Sequence, residues 1–185
     1  MAIRLAQLRR FAMFGLAGGL SLLMSLTLAD AGISREDRIK AVLVFKLVKF
    51  VEWPTSVMPE NAPIEICAFG ESPVGTALAS TEGQTLGDRQ VKFRRINGLL
   101  STDVANCHVL YVPASAREIS GNLPGTLRGR PLLTVSEATD FARHGGMIGL
   151  FRSENKLSFE ISLRNAKDGG LKIGAPLLEL ATIVE

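Results

Sequence analysis

Two cysteines and two histidines are the residues whose types could support nucleophilic, redox or metal chemistry: Cys67, Cys107, His108 and His144. Zinc ligands usually occur in close pairs such as C-x-x-C, and the sequence contains none. Cys107 and His108 are adjacent, but neighbouring residues of a strand point to opposite faces, which argues against a catalytic pair. An even cysteine count in an oxidising compartment favours a Cys67–Cys107 disulfide. A catalytic Cys–His pair and a metal site remain alternatives.

Other candidate chemistry is sparse. Gly70 and Gly75 have the G-x-x-x-x-G spacing of a phosphate loop, but the motif's lysine is missing and Pro73 removes an amide. We interpret the segment as a strand-to-helix turn capped by Ser72. The nucleophile motif G-x-S-x-G is also absent from the sequence. We therefore expect no catalytic residue, no cofactor and no metal. The alternative is a small α/β enzyme or ligand binder with its site at the carboxyl ends of parallel strands, near Ser72 or Ser136.

The first 31 residues predict a secretory signal peptide. A basic segment ends at Arg9-Arg10, an apolar run covers residues 11–28, and Ala29-Asp30-Ala31 has the A-x-A form of a cleavage site. Cleavage after Ala31 would make Gly32 the mature N-terminus and the protein periplasmic. An uncleaved anchor is the alternative, since the apolar run is at the short limit for crossing a bilayer.

The charge distribution argues against nucleic acid as a partner. The whole chain has 21 Lys and Arg against 18 Asp and Glu in 185 residues. Arg4, Arg9 and Arg10 belong to the predicted leader, so residues 32–185 are almost neutral. A nearly neutral body lacks the basic surface that holds a phosphate backbone.

The body alternates helical and strand patterns. Ser34 with Asp37 predicts a capped helix running to Trp53-Pro54, with an apolar stripe of Ile39, Leu43, Leu47 and Phe50. Lys40, Lys46, Lys49 and Glu52 should face water. Strands are predicted at residues 64–69, 91–96 (a possible edge strand), 107–112 and 131–135, and a hairpin at 147–163. Further helices are predicted at residues 74–80, 114–123, 137–143 and 176–184. The prediction is a single α/β domain over residues 32–185, with a mainly parallel central sheet flanked by helices and a C-terminal antiparallel hairpin.

Several stretches together resemble one known family. They keep their order across about 140 residues: Lys40-Ala41-Val42, Phe50-Val51-Glu52-Trp53-Pro54, Ile66-Cys67, Cys107-His108-Val109-Leu110-Tyr111, Leu133-Thr134-Val135-Ser136-Glu137, Gly145-Gly146-Met147-Ile148, Phe159-Glu160-Ile161-Ser162 and Gly170-Leu171-Lys172-Ile173. In these segments the chain resembles the YfiR-like (DUF4154) periplasmic regulators.

The resemblance implies a non-enzymatic periplasmic protein that represses an inner-membrane diguanylate cyclase by binding its periplasmic sensor region. Release by an outer-membrane lipoprotein, or by redox damage to disulfides, would raise cyclic-di-GMP and promote biofilm formation. Cys67 and Cys107 match one family disulfide, whereas residues 144–152 lack the second pair. A homodimer is compatible with this assignment, and a structural accessory of an envelope transporter is a weaker alternative.

The partner-binding surface is predicted within residues 159–173. Alternation places Phe159, Ile161 and Leu163 on one face of a late, peripheral strand and Glu160 on the other. If the chain doubles back at Gly169-Gly170, Glu160 would lie near Lys172 as part of a polar rim. A solvent-exposed ion pair of little consequence is the alternative for these two residues. The full predicted set is Phe159, Glu160, Ile161, Leu163, Ala166, Leu171, Lys172 and Ile173.

Overall fold

The computed structural model of the chain describes residues Gly32–Glu185. The predicted signal peptide, residues 1–31, lies outside this range. No helix described between residues 32 and 185 is long and apolar enough to cross a membrane.

Residues 32–185 contain five α-helices and ten strands. The helices are α1 (Arg35–Leu47), α2 (Pro73–Leu78), α3 (Arg117–Ser120), α4 (Leu163–Asp168) and α5 (Ala175–Leu178). The strands are β1 (Val51–Glu52), β2 (Ile64–Phe69), β3 (Thr85–Leu86), β4 (Arg89–Ile96), β5 (Val109–Val112), β6 (Leu133–Ser136), β7 (Ile148–Ser153), β8 (Lys156–Ser162), β9 (Lys172–Ile173) and β10 (Thr182–Val184).

One eight-stranded sheet organises the domain, in the order β10-β8-β7-β6-β5-β2-β4-β3. The neighbours from β4 to β7 are parallel, β7 and β8 form an antiparallel hairpin, and β10 pairs in parallel with β8. β1 and β9 make a separate two-stranded sheet. The predicted fold class is therefore confirmed: a mainly parallel α/β sheet flanked by helices, with a C-terminal hairpin.

The two faces of the sheet carry separate apolar cores, because successive side chains of a strand alternate between faces. In β2, Ile66 and Ala68 join the larger core beneath α1 and α2, while Cys67 joins the smaller one. β5 and β6 are buried along their whole length, as expected for interior strands.

The N-terminus of α1 is confirmed and its length is not. The Ser34 side chain accepts the Asp37 backbone N–H and the Asp37 carboxylate accepts the Ser34 N–H, a complete capping box. The α-helix ends at Leu47, before a 3-10 turn (Val48–Phe50) and β1, rather than at Trp53. The backbone turns extended at Val51 because β1 pairs with β9, a partner 120 residues later that local sequence does not reveal.

The buried side of α1 also differs from the predicted stripe. The residues that enter the core are Ala41, Val44, Leu47 and Val48, whereas Ile39 and Phe50 are exposed. Of the four polar residues expected to face water, Lys46, Lys49 and Glu52 do so. Lys40 does not: only 15% of its side chain is exposed, and its ammonium group forms an ion pair with Glu137.

Three other predicted helices are shorter or missing. Only Arg117–Ser120 is helical within residues 114–123, and residues 137–143 form turns. The C-terminal segment forms α5 and then β10, because the parallel ladder to β8 captures its last residues. β10, not β8, is thus the edge strand at that end of the sheet. β4, considered as an edge strand, has β3 beside its first two residues.

Candidate functional site at the carboxyl edge of the sheet

The β7–β8 hairpin extends past the carboxyl end of β6 and leaves a cleft. β6 pairs with β7 only at Val135–Ile148 and Ser136–Gly149, while the hairpin continues to Ser153 and Lys156. The turn after β6 forms the opposite wall. The cleft has a volume of about 380 Å³ and is lined by Glu137, Ala138, Thr139, Asp140, Gly149, Leu150, Phe151, Arg152 and Glu160.

Glu160 occupies space in this cleft that Gly149 leaves open. The two residues face each other across the hairpin. A Cβ added to Gly149 would lie 2.8 Å from Oε1 of Glu160 and 2.9 Å from its Cγ. Among residues 32–185, no Lys or Arg nitrogen lies within ion-pair distance of Glu160. Its half-buried side chain therefore lies over Gly149 without an ion pair from this part of the chain, and its carboxylate can pair with a partner.

A network of charged side chains links two residues that line the cleft, Glu137 and Arg152, to α1. Arg152 Nη1 donates to Glu36 at 2.6 Å, and Lys40 Nζ lies 3.1 Å from Glu36 and 2.5 Å from Glu137 Oε2. The Tyr111 hydroxyl donates to Glu137 Oε1 at 2.9 Å. Both oxygens of Glu137 are thus engaged, which fixes one wall of the cleft to the helix.

The pKa shifts agree with these contacts. Burial, and then the charge of Glu137, raises the pKa of Tyr111, so the phenol stays a neutral donor. Burial alone would lower the pKa of Lys40, but its hydrogen bonds to Glu137 and Glu36 raise it on balance. The hydrogen bond and charge of Lys40 lower the pKa of the exposed Glu36 carboxyl. These shifts favour the charged forms of Lys40 and Glu36 and the neutral form of Tyr111.

Half of the residues predicted for a partner surface are in the core. Phe159, Ile161, Ala166 and Leu171 are all buried and belong to the larger apolar core. The alternation correctly placed Phe159 and Ile161 on one face, but that face is covered by helices. These four side chains cannot contact a partner in this state of the protein.

The remaining four predicted residues are accessible but do not form one rim. Leu163 starts α4 and is 38% exposed. Lys172 and Ile173 lie in β9, where they pair with Glu52 and Val51, while Glu160 pairs with Gly149 and Thr182. The expected approach of Lys172 to Glu160 does not occur, because β9 leaves the main sheet to pair with β1.

Cys67 and Cys107 are joined by a disulfide, with their Cα atoms 5.8 Å apart. It ties β2 to the segment that enters β5. Glu65, Cys67 and Cys107 bring ligand-type atoms within 4.8 Å of one another. Arg94 lies against this group, with its Nε 2.6 Å from Glu65 Oε1 and its Nη2 3.4 Å from Cys107 Sγ. With both sulfurs bonded and a guanidinium beside them, the group does not suit a metal ion.

His108 connects two distant segments as a neutral ring. Its Nδ1 accepts the Glu65 backbone N–H at 3.0 Å, so Nε2 carries the proton and donates to the Val57 carbonyl at 3.3 Å. Its edge contacts Trp53, with ring centroids 6.3 Å apart. Burial lowers the pKa of His108, which favours this neutral form. The ring is structural and does not face the Cys107 sulfur as a catalytic base.

The serines considered for an enzyme site serve as backbone caps. Ser72 Oγ accepts the Gly75 N–H at 3.0 Å, at the start of α2. Ser136 Oγ accepts the Ala138 N–H at 3.0 Å and the residue is fully buried. Neither hydroxyl is bonded to a base, so the geometry gives no support to a serine nucleophile.

Sequence reasoning missed the residues that frame the cleft: Glu36, Lys40, Tyr111, Glu137, Gly149, Phe151 and Arg152. A signal for one of them was available, since Glu137 directly follows a buried strand and carboxyl ends of parallel strands meet at one edge. The pairing of Lys40 with Glu137 spans 97 residues and had no local signal.

The family model described as YfiR/HmsC-like matches residues 37–182. Among solved structures, a conserved domain protein from Vibrio cholerae O1 biovar eltor strain N16961 aligns with a TM-score of 0.45 and 13% identity. The alignment covers 78% of this chain and 60% of that protein, so this chain spans less than two thirds of its length. Because the family match extends through nearly all of the described domain, the chain belongs to the YfiR/HmsC-like family.

Proposed function

We propose that this protein is a periplasmic regulatory binding protein that represses an inner-membrane diguanylate cyclase by binding its periplasmic sensor region. Membership of the YfiR/HmsC-like family supports a periplasmic regulator of cyclic-di-GMP signalling at the level of the family. A regulator of this kind acts by binding and needs no catalytic group of its own.

The observation that carries the proposal is the accessible carboxylate of Glu160 in the cleft beyond β6. It is held over Gly149, lacks an ion-pair partner among residues 32–185, and shares the cleft with the 37% exposed Phe151. Aromatic residues are enriched at the core of protein interfaces and charged residues are depleted there, so Phe151 would lie at the core of this interface and Glu160 at its polar rim. The proposed occupant is a segment of the sensor region that presents a cation to Glu160 and an apolar side chain to Phe151.

Further partners follow from the same assignment. An outer-membrane lipoprotein would release the cyclase by competing for this protein, and a homodimer would be a state that the competitor or the cyclase disrupts. The single disulfide, with no cysteine in residues 144–152, limits redox control to the Cys67–Cys107 bond.

The test is repression by charge-reversed protein. Glu160→Lys should fold and be exported normally, fail to co-purify with the cyclase after crosslinking in membranes, and raise cellular cyclic-di-GMP. The matched control is Glu154→Lys, the same change at the exposed turn of the same hairpin, which should repress as the wild type does. N-terminal sequencing of the periplasmic protein should find Gly32.

Two outcomes would contradict the proposed site. Wild-type repression by a well-folded Glu160→Lys protein would exclude the cleft. Loss of repression in Lys172→Glu, with Glu160→Lys unaffected, would place the partner-binding surface on the small sheet of β1 and β9 instead. Failure of the wild-type protein to crosslink to any diguanylate cyclase would contradict the proposed function itself.

A further inference from the structure

The outward side of α1 and its 3-10 extension carries an unusual combination of side chains. Arg35, Arg38, Lys46 and Lys49 are exposed, and Ile39, Val42 and Phe50 lie among them with exposed fractions of 48%, 50% and 38%. We call these seven residues the α1 stripe. At 3.6 residues per turn, positions 35, 38, 39, 42, 46 and 49 fall on one side of the helix. The opposite side enters the core, so folding itself does not require the stripe to be apolar.

The cations of the stripe have no internal counter-charge. Among residues 32–185, no carboxylate oxygen lies within 4.0 Å of Arg35, Arg38, Lys46 or Lys49. The two acids of the helix are engaged elsewhere: Glu36 pairs with Lys40 and Arg152, and Asp37 closes the capping box. The stripe is therefore a run of positive charge and apolar surface about 22 Å long.

We propose that the α1 stripe docks this protein on the anionic phospholipid surface of the membrane. Each basic residue near such a surface contributes an electrostatic attraction to the anionic headgroups. The apolar side chains between them can insert at the boundary between headgroups and acyl chains. Lipids move laterally, so headgroups can gather under four flexible cations without a pre-formed pattern of acids. Grooves beside the helix involve the ends of the stripe, at Arg35 and Ile39 and at Lys49. A peptide lying in either groove would reach only part of the stripe, whereas a flat lipid surface can reach all of it.

Docking of this kind raises the concentration of the protein around membrane partners. It does not depend on the identity of any partner protein. It can therefore fail while the proposed repressor function stands, and the reverse also holds.

The test is sedimentation of the periplasmically processed protein with vesicles of phosphatidylethanolamine and phosphatidylglycerol, compared with vesicles of phosphatidylcholine alone. The wild-type protein should sediment with the anionic vesicles only and should be released by added salt, since salt screens the attraction. Lys46→Gln/Lys49→Gln should lower the partition coefficient by roughly tenfold or more. Ile39→Ser/Val42→Ser, which keeps the charge, should also weaken binding.

The matched control is Lys92→Gln/Lys167→Gln, which removes the same charge from two exposed lysines outside the stripe and should bind as the wild type does. Thermal unfolding of each variant checks that it is folded. Equal binding of the two lysine variants would overturn the proposal, as would no binding of the wild type to anionic vesicles at low salt. If stripe variants lose a partner protein but bind vesicles normally, the stripe is a protein interface and the proposal is wrong.

Discussion

Glu160 and Gly149 are opposed across the β7–β8 hairpin, and the side chain of Glu160 fills the place of a Cβ at Gly149. The position of the carboxylate that we assign to partner binding is thus set by a residue without a side chain. The atoms that a Cβ at Gly149 would meet all belong to the flexible end of the Glu160 side chain. A small substitution at Gly149 should therefore move the carboxylate without damaging the core.

Gly149→Ala is expected to weaken partner binding while leaving stability within about 1 kcal/mol of the wild type. The added methyl group would lie 2.8 Å from Oε1 and 2.9 Å from Cγ of Glu160, so this side chain has to move and its carboxylate shifts. Thermal unfolding and the crosslinking assay measure the two effects. Wild-type partner binding by Gly149→Ala would mean that the location of the carboxylate is unimportant.

Gly146→Ala should be far more harmful than Gly149→Ala. A Cβ at Gly146 would lie 2.2 Å from a ring carbon of Phe141, which is fully buried. Overpacking of this kind costs about 1–3 kcal/mol, which lowers the melting temperature by several degrees. Phe141→Leu in the same chain should recover part of the loss, so the two changes should not be additive. Additive effects would contradict the proposed clash.

Stability should fall as the pH drops below about 6.5, the ordinary pKa of histidine, because of His108. Its folded-state pKa is lowered, so the unfolded chain binds the proton first. The contribution of neutral His108 to the free energy of unfolding is fully present above that pH. It is lost progressively as the pH falls towards the folded-state pKa of His108. Protonation puts a hydrogen on Nδ1 opposite the Glu65 N–H.

The measurement is the midpoint of urea unfolding between about pH 5 and 8. His108→Gln, whose amide can both accept and donate, should flatten the dependence in this range. An unchanged slope in His108→Gln would assign the pH dependence to other groups.

Cys107→Ser should destabilise the oxidised protein by about 4 kcal/mol, since the disulfide closes a loop with a sequence separation of 40 residues. This corresponds to a fall in melting temperature of about 8–16 °C. Reductant should lower the wild-type value towards that of the variant. Titration of two free thiols in the native oxidised protein would contradict the bond.

Lys40→Met and Glu137→Gln should each cost about 1–2 kcal/mol, because either change removes one ionic partner from a partly buried charge. The double variant should cost less than the sum of the two, with a coupling energy near 1 kcal/mol. Urea unfolding of the four proteins gives this value. Strict additivity would show that the pair does not connect α1 to the cleft.

The elements that depend on local chemistry could be predicted from the sequence. The Ser34 capping box and the Ser72 cap of α2 both use a serine side chain that accepts a backbone N–H three residues later. The buried runs that became β2, β5 and β6 were recognisable because interior strands are apolar on both faces. The family could be recognised as well, since its residues extend through the whole domain.

Long-range pairing could not be predicted in the same way. Residues 48–53 continue a helical pattern, yet they leave the helix because β9 offers a ladder to Val51 and Glu52. Residues 182–184 likewise become β10 through pairing with β8. Hydrogen bonds between distant segments outweigh helix propensities that differ by only tenths of a kcal/mol.

The sequence by itself determined the fold class, the family and the residue types at each strand, because apolar periodicity and capping are local properties. Only the tertiary structure decided which charges meet and which apolar side chains stay outside. It joined Lys40 to Glu137, separated Lys172 from Glu160, and left Ile39 and Val42 in solvent. These outcomes depend on the order of strands in the sheet and on which side of α1 the sheet covers, and both follow from the packing of the whole chain.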